Sequence, residues 1–200
     1  MSRSLPFALA ALLLLAGCAG QESRDAPRRS WAQHSELLQQ LQQWSASGKL
    51  ALRTEQRAES ATIQWRQQGH DTQLQLSGPM GLSATTIHSD GKRVEIRQGD
   101  ELRTLDISTP DAIVRNTGWD LPLGALPYWL KGIPSPNSPV QFLELDPATD
   151  RARILRQDDW EIHYRNYDQF DGFTLPTDLR IQRATTSGRV IIRNWQVRPG

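Results

Sequence analysis

The sequence predicts a mainly β fold, in which an antiparallel sheet of ten or eleven strands curls on itself and is accompanied by three short helices. From Leu50 onward, apolar residues alternate with polar ones, which is typical of strands with one buried face. Turn-forming pairs such as Asp90-Gly91 separate the alternating segments. Because sheets this wide rarely stay flat and open, we expect strong curvature.

The chain begins with a segment typical of a bacterial lipoprotein signal peptide. Arg3 precedes an apolar run too short to span a bilayer, and residues 15–18 read Leu-Ala-Gly-Cys. Small residues before a cysteine form a lipobox, so Cys18, the only cysteine in the chain, is the predicted lipidation site. An ordinary cleaved signal is the alternative. Ala19 in place of an aspartate favours an anchor in the outer membrane, facing the periplasm.

Cleavage before Cys18 divides the chain into three parts. Residues 1–17 are the signal peptide, residues 18–30 a lipidated flexible tether without large apolar side chains, and residues 31–200 one globular domain. The chain has 23 basic and 22 acidic residues, and removal of Arg3 with the signal leaves the two charges balanced. This balance gives no indication of a nucleic-acid partner or of binding to anionic lipid.

The first predicted element of the domain is a helix from about Trp31 to Ser45, because the apolar residues at 31, 37, 38, 41 and 44 share one face. After Gly48 the apolar period changes to two, which predicts strands. The predicted strands cover residues 50–52, 61–65, 74–76, 82–87, 94–96, 102–107, 140–145, 152–156, 160–167, 175–183 and 189–197.

Between the sixth and seventh predicted strands lies a proline-rich insert, residues 119–139. It holds five of the twelve prolines, which should break it into short helices and turns. The helix near Trp129 is a natural cover for the mouth of a curled sheet. The alternation itself leaves open whether the apolar face encloses a cavity or surrounds a filled core.

Several motifs, in their order and spacing, resemble the LolB family of outer-membrane lipoprotein receptors over almost the whole domain, from about Trp31 to Val197. They are residues 44–50 (Trp-Ser-Ala-Ser-Gly-Lys-Leu), Ile63-Gln64-Trp65, Gly78-Pro79-Met80-Gly81, residues 129–134 (Trp-Leu-Lys-Gly-Ile-Pro), residues 159–162 (Asp-Trp-Glu-Ile) with Tyr164, Leu175-Pro176 and Trp195.

The resemblance implies a more specific fold and function. The fold is an incomplete, unclosed antiparallel β-barrel of about eleven strands, covered by helices and enclosing a hydrophobic cavity. The function is to accept lipoproteins from the soluble periplasmic carrier LolA and to insert them in the inner leaflet of the outer membrane. A chain without a Gly-rich nucleotide motif must do this without nucleotide, and we expect a monomer.

The candidates for lining an acyl-chain cavity are the residues on the apolar side of the predicted strands and of the covering helix. They are Leu50, Leu52, Ile63, Trp65, Leu74, Leu76, Ile87, Val94, Ile96, Leu126 and Trp129.

The loop Gly78, Pro79, Met80 and Gly81 is the candidate membrane-insertion site. An apolar side chain at a turn tip is exposed unless something covers it. The family's loop commonly reads Pro-Leu-Gly, and Met80 takes the place of the leucine. The resemblance implies insertion of this side chain into the membrane; from the residues alone, Met80 could equally fold back as a plug of the barrel end.

Two rival functions compete with this one. A lipid hydrolase is disfavoured because the chain lacks the GxSxG and HExxH motifs, and we expect no catalytic residue, metal site or cofactor. The four histidines, His34, His70, His88 and His163, show no metal-ligand spacing, and His163 is expected to face solvent or to form a hydrogen bond. The second rival is a scaffold lipoprotein that binds another envelope protein through residues 119–139.

Overall fold

The structure, a computed structural model, describes residues 29–55, 58–78, 84–106 and 123–198. These residues form two helices and eleven strands. The helices are α1 (Trp31–Gln40) and α2 (Leu126–Lys131). The strands are β1 (Gln43–Arg53), β2 (Ala58–Gln68), β3 (Asp71–Ser77), β4 (Thr85–Ser89), β5 (Arg93–Gln98), β6 (Glu101–Asp106), β7 (Val140–Leu145), β8 (Ala152–Gln157), β9 (Trp160–Phe170), β10 (Phe173–Arg183) and β11 (Thr186–Arg198).

All eleven strands belong to one antiparallel sheet in the order β6-β5-β4-β3-β2-β1-β11-β10-β9-β8-β7. The first and last strands meet at its centre, where Gln43 pairs with Arg198. Strands β6 and β7 form the two edges and are not paired with each other, so the sheet is unclosed. The predicted fold class, an incomplete antiparallel sheet of about eleven strands with short helices, is confirmed.

Helix α1 is shorter than the sequence predicts. Ser30 caps its N-terminus, where the Ser30 hydroxyl accepts a hydrogen bond from the Gln33 amide and the Gln33 side chain accepts one from the Ser30 amide. The helix ends at Gln40, and Trp44 lies in β1 rather than in the helix. The helical period continues by coincidence into β1, which is paired on both sides from Gln43 onward and therefore adopts strand geometry.

Gly48 lies inside β1 and does not precede it. It sits at a bulge in the pairing of β1 with β11, where a Cβ would lie 2.0 Å from the carbonyl oxygen of Ile191. Only glycine allows the two backbones this close approach. The change of apolar period near Gly48 therefore marks a bulge within a strand, and β1 begins seven residues earlier than the predicted start at residue 50.

The core lies between one face of the sheet and the two helices. Leu38 of α1 and Trp129 of α2 are completely buried in the same cluster as Leu155 and Leu179 from the sheet. The other boundaries differ from prediction by only a few residues: β4, for example, spans Thr85–Ser89 against the predicted 82–87. Among the described residues, no helix is long and apolar enough to cross a membrane.

Candidate functional site

The strand register brings most of the predicted cavity residues together on the inner face of the sheet. Across four neighbouring strands, Trp65 pairs with Leu74, Leu74 with Ile87, and Ile87 with Ile96. Residues that pair directly across strands point to the same face, so these four side chains form a continuous apolar row. The apolar side of the alternation is thus the inner side, as expected.

The predicted cavity residues divide into two groups by burial. Seven are buried: Ile63, Trp65, Leu74, Ile87, Val94, Leu126 and Trp129. Four are only half-buried: Leu50, Leu52, Leu76 and Ile96. All four half-buried residues lie on β1, β3 and β5, so the inner face of the N-terminal part of the sheet is not fully covered by the protein itself.

Three tryptophans form a cluster at the centre of the sheet. The Trp44 ring stacks on Trp65 with centroids 6.0 Å apart and lies 5.1 Å from that of Trp195. The indole nitrogen of Trp65 donates to Gln67 Oε1 at 2.9 Å, and that of Trp195 donates to the Pro176 carbonyl at 3.0 Å. Because both donors are satisfied, the cluster is a rigid part of the core. It joins the N-terminal half of the sheet, β1–β6, to the C-terminal half, β7–β11.

Gln157 fixes α2 and the chain that follows it to the sheet. Its buried side chain accepts hydrogen bonds from Trp129 Nε1 and the Ser135 amide, both at 2.9 Å. It also donates to the carbonyls of Ser135 at 2.7 Å and Ser138 at 2.6 Å. The Tyr164 hydroxyl donates to the Trp129 carbonyl at 3.0 Å. A fully satisfied buried network of this kind specifies one position for the covering helix.

Lys131 connects the two helices. Its Nζ donates to the carbonyls of Leu38 at 2.6 Å and Leu41 at 3.1 Å, which are orphan acceptors at the end of α1. It also lies 5.3 Å from the centre of the Tyr128 ring. Burial of the ammonium group lowers the pKa of Lys131 to about 8. The lysine in the Trp-Leu-Lys-Gly motif therefore caps α1, and it holds α1 against α2.

The N-terminal end of α1 rests on a partly buried polar cluster. The Trp31 amide donates to the Asp150 carboxylate at 2.6 Å, and the Arg151 guanidinium donates to the Arg29 carbonyl at 3.1 Å. His34, almost fully buried, lies in the same region. Burial, followed by the nearby positive charges of Arg151 and Arg29, lowers the pKa of His34 to about 4, so this histidine is neutral in the folded protein.

Several predicted site residues lie outside the described residues. These are Cys18, with the signal and most of the tether, and Pro79, Met80 and Gly81 of the candidate membrane loop. Gly78 is described and is half-buried directly after β3. The described residues contain no group of three or more His, Cys, Asp and Glu side chains suited to a metal ion.

Sequence reasoning missed three residues that position the helices: His34, Lys131 and Gln157. Gln157 follows Leu155 by two positions, so strand alternation could have placed it on the inner face. His34 lies one helical turn before Leu38, which is a comparable signal. His163 behaves as expected, since it is partly exposed and its Nε2 lies 2.5 Å from Glu161 Oε1.

The family model described as outer membrane lipoprotein LolB matches residues 42–195, which span β1 to β11. The outer-membrane lipoprotein LolB of Alkalilimnicola ehrlichii is 37% identical to this chain and covers 98% of each. The chain belongs to the LolB family. The LolB protein of Nitrosococcus oceani is 31% identical, covering 96% of this chain and 97% of its own.

A solved structure supports the fold. A putative outer membrane lipoprotein-sorting protein domain from Vibrio parahaemolyticus superposes with a TM-score of 0.51 at 11% identity, covering 86% of this chain and 94% of that one. At such low identity this likeness concerns the fold alone. Membership of the LolB family makes the chain a lipoprotein-sorting outer-membrane lipoprotein of a Gram-negative bacterium, in a family of localisation factors that is not known for catalysis.

Proposed function

We propose that this protein takes lipoproteins from the periplasmic carrier LolA, holds their acyl chains in a hydrophobic cavity on the inner face of the sheet, and inserts them in the inner leaflet of the outer membrane. The proposal includes a lipid anchor on Cys18, a domain that faces the periplasm, and a monomeric state. Family membership supports the general role, and the inner face of the N-terminal half supports the acyl-chain site.

The observation that carries the proposal is the half-covered row of apolar side chains on that face. Leu50, Leu76 and Ile96 are partly exposed although they point to the same side as the buried Ile63 and Ile87. A soluble domain gains free energy by covering such side chains. An acyl chain that lies along this row would complete their burial and would itself leave water.

The free energies are of the right size for transfer without nucleotide. An acyl chain of roughly fifteen methylenes costs on the order of 10 kcal/mol to expose to water. The receptor must therefore replace most of the acyl chain's apolar contacts as the lipid leaves the carrier. The direction of transfer then follows from the order of affinities for the lipid, with LolA holding it least tightly and the membrane most tightly.

The loop that follows Gly78 is the proposed point of contact with the membrane. A methionine at position 80 provides a flexible apolar side chain suited to insertion among lipid tails. We expect Met80→Glu to keep cargo capture from LolA and to lose delivery to vesicles, as followed by sedimentation of the cargo with lipid. Correct delivery by this variant would contradict the role of the loop.

The scaffold alternative gains no support from the insert that was proposed as its binding surface. Trp129 of this insert is completely buried, and its indole nitrogen donates a hydrogen bond to Gln157. Ile133 and Ser135 are buried as well. The described part of the insert, residues 123–139, therefore uses its central apolar side chains to cover the protein's own core.

The test is capture of a purified triacylated lipoprotein from LolA by the mature chain carrying Cys18→Ala. Capture without nucleotide, read by co-precipitation, is the expected result. Leu76→Glu and Ile96→Glu should each reduce capture at least tenfold, since either carboxylate would have to be desolvated beside the acyl chain.

Leu102→Glu is the matched control. Leu102 lies on the edge strand β6 with 51% of its surface exposed, so the same change in chemistry falls outside the proposed site. This control should capture cargo as the parent chain does. Equal capture by all three variants, each folded by circular dichroism, would rule out the inner face as the acyl-chain site.

A further inference from the structure

The outer face of the central strands carries a cluster of positive side chains that the acyl-chain site does not use. Lys49 of β1, Arg165 of β9, Arg180 of β10 and Arg189 of β11 lie on neighbouring strands. Lys49, Arg165 and Arg180 are exposed, and Arg189 is half-buried. The register places Arg180 directly opposite Arg189. Because basic and acidic residues are almost equal in number over the whole chain, the net charge does not reveal this local excess of positive charge.

Asp178 is the acidic residue at the centre of this cluster. Arg189 donates to both of its carboxylate oxygens, at 3.0 and 2.8 Å. These hydrogen bonds from Arg189 are the main cause that lowers the pKa of Asp178, and the nearby charges of Arg165 and Arg180 lower it further. One carboxylate, already bonded twice by Arg189, thus stands among four cations, and the cluster has a net charge of +3.

An exposed apolar residue lies within the cluster. Ile191 pairs with Lys49 on one side and with Asp178 on the other, and 36% of its surface is exposed. An exposed apolar side chain within a group of net positive charge matches the interface of a bilayer, where anionic headgroups lie above acyl tails. The combination distinguishes this surface from an ordinary solvated face of a sheet.

The chain leaves the domain at one end of β9 and β10, two of the strands that carry the cluster. Arg29 donates to the carbonyl of Gly172, in the turn between β9 and β10. Eleven peptide units separate Arg29 from Cys18, and eleven residues span at most about 40 Å when fully extended. If Cys18 carries the proposed lipid anchor, the tether holds the positive surface within reach of the bilayer.

We infer that the outer face around Asp178, formed by Lys49, Arg165, Arg180 and Arg189, binds the anionic phospholipid surface of the membrane that holds the anchor. This inference rests on the proposed lipid anchor, and it adds a headgroup contact that is separate from the apolar loop after Gly78. The surface orients the anchored domain by attraction to phosphate groups. Because the contact is electrostatic, added salt weakens it.

The experiment measures vesicle binding of the mature chain carrying Cys18→Ala, so that only the folded domain and the tether contribute. Co-sedimentation is compared between phosphatidylcholine vesicles and mixed phosphatidylcholine–phosphatidylglycerol vesicles at low and high salt. The expected result is tighter binding to the anionic vesicles, with the difference lost at high salt. Equal binding to both kinds of vesicle would overturn the inference.

The variant Arg165→Gln/Arg180→Gln tests the location. A basic side chain near an anionic surface changes affinity about fivefold, so removal of two should weaken binding to anionic vesicles by about thirtyfold. The matched control is Arg66→Gln/Arg97→Gln, which removes the same charge from exposed positions on β2 and β5. Equal losses in the two variants would show a response to net charge alone and would overturn the inference.

Cargo capture from LolA is measured on the same variants, because it separates failure of this inference from failure of the proposed function. Normal capture by Arg165→Gln/Arg180→Gln is expected, since both residues lie on the face opposite the acyl-chain site. Lost capture together with unchanged vesicle binding would instead assign the surface to a protein partner, and it would refute binding to lipid.

Discussion

The two halves of the sheet differ in how completely their inner faces are covered. In the C-terminal half, Leu155, Ile162, Leu175 and Leu179 are almost fully inaccessible beneath the two helices. In the N-terminal half, residues such as Leu76 and Ile96 pack against the core but remain partly exposed. One half therefore behaves as the core of a globular domain, and the other retains apolar surface that a ligand can cover.

Polar contacts differ between the halves in the same way. Lys131 fixes the two helices to each other, and Gln157 and Tyr164 fix α2 to β8 and β9. The cluster around His34 fixes the start of α1 to the two residues before β8. Such contacts hold the helices in a single position. The difference shows how one continuous sheet can combine a firmly packed platform with a partly exposed apolar surface, because close packing and exposed apolar area lie on different strands.

The largest effect is expected from a matched pair of leucine truncations. Leu155→Ala should lower the free energy of unfolding by about 4 kcal/mol, since it leaves a cavity in a fully packed region. Leu76→Ala should lower it by only about 1 kcal/mol, because that side chain is already half in water. Urea unfolding measures both. Equal losses would show that the two halves are packed alike.

Removal of the Gln157 side-chain amide should have the next largest effect. Gln157→Leu leaves the Trp129 indole nitrogen and three backbone groups of residues 135–138 without their partner, and we expect a loss of about 3 kcal/mol. Gln75→Leu, on the outer, exposed side of β3, is the control and should change stability by less than about 0.5 kcal/mol. A stability loss no greater than that of the control would mean that Gln157 does not secure α2.

Acid should destabilise the folded domain through His34 of α1. Its pKa is about 4 in the folded protein and about 6.5 when unfolded, so the unfolded state binds more protons as the pH falls below 6.5. Stability is thus lost between pH 6.5 and 4, by about 2 kcal/mol at pH 5. Urea unfolding of His34→Asn at pH 7.5 and 5 should show a smaller loss. If His34→Asn showed the same pH dependence of stability as the parent chain, other titratable groups would be its cause.

Alkali should have the opposite and smaller effect through Lys131. Burial lowers its pKa to about 8, so above that pH the unfolded state retains more protons than the folded one. Stability should therefore rise by about 1 kcal/mol between pH 7 and 9, since a neutral amine still has hydrogens for both carbonyl acceptors. Lys131→Met should abolish this rise in urea unfolding measurements; a rise of the same size in the variant would refute the assignment.

The alternation of apolar residues was sufficient to predict the strands and the inner face. Trp65, Leu74 and Ile87 lie on the apolar side of alternating segments, and the register places them side by side. The boundary between α1 and β1 was not predictable, because Trp44 continues the helical period of Leu37 and Leu41. Only pairing with two distant strands makes this segment extended, and that information is not local.

For the residues of the candidate site, the sequence predicted the face of the sheet better than the degree of burial. Leu76 and Ile63 have the same pattern in sequence, yet one is half-buried and the other buried. The difference depends on what lies above each residue in three dimensions. Lys131 shows the same limit. From the sequence, a lysine between apolar residues is expected to be exposed. Only the three-dimensional structure shows that its ammonium group donates to carbonyls at the end of α1.

The meeting of the first and last strands at the centre of the sheet determines when the sheet can be completed during folding. Strands β1 to β6 form a meander of neighbours in sequence, so their contacts can form early, whereas the partner of Gln43 is Arg198, almost at the end of the chain. In a chain that emerges with its N-terminus first, the tryptophans of β1 and β2 are present long before their partner strand β11. The inner face at the centre of the sheet can therefore be completed only when the last strand joins the two halves.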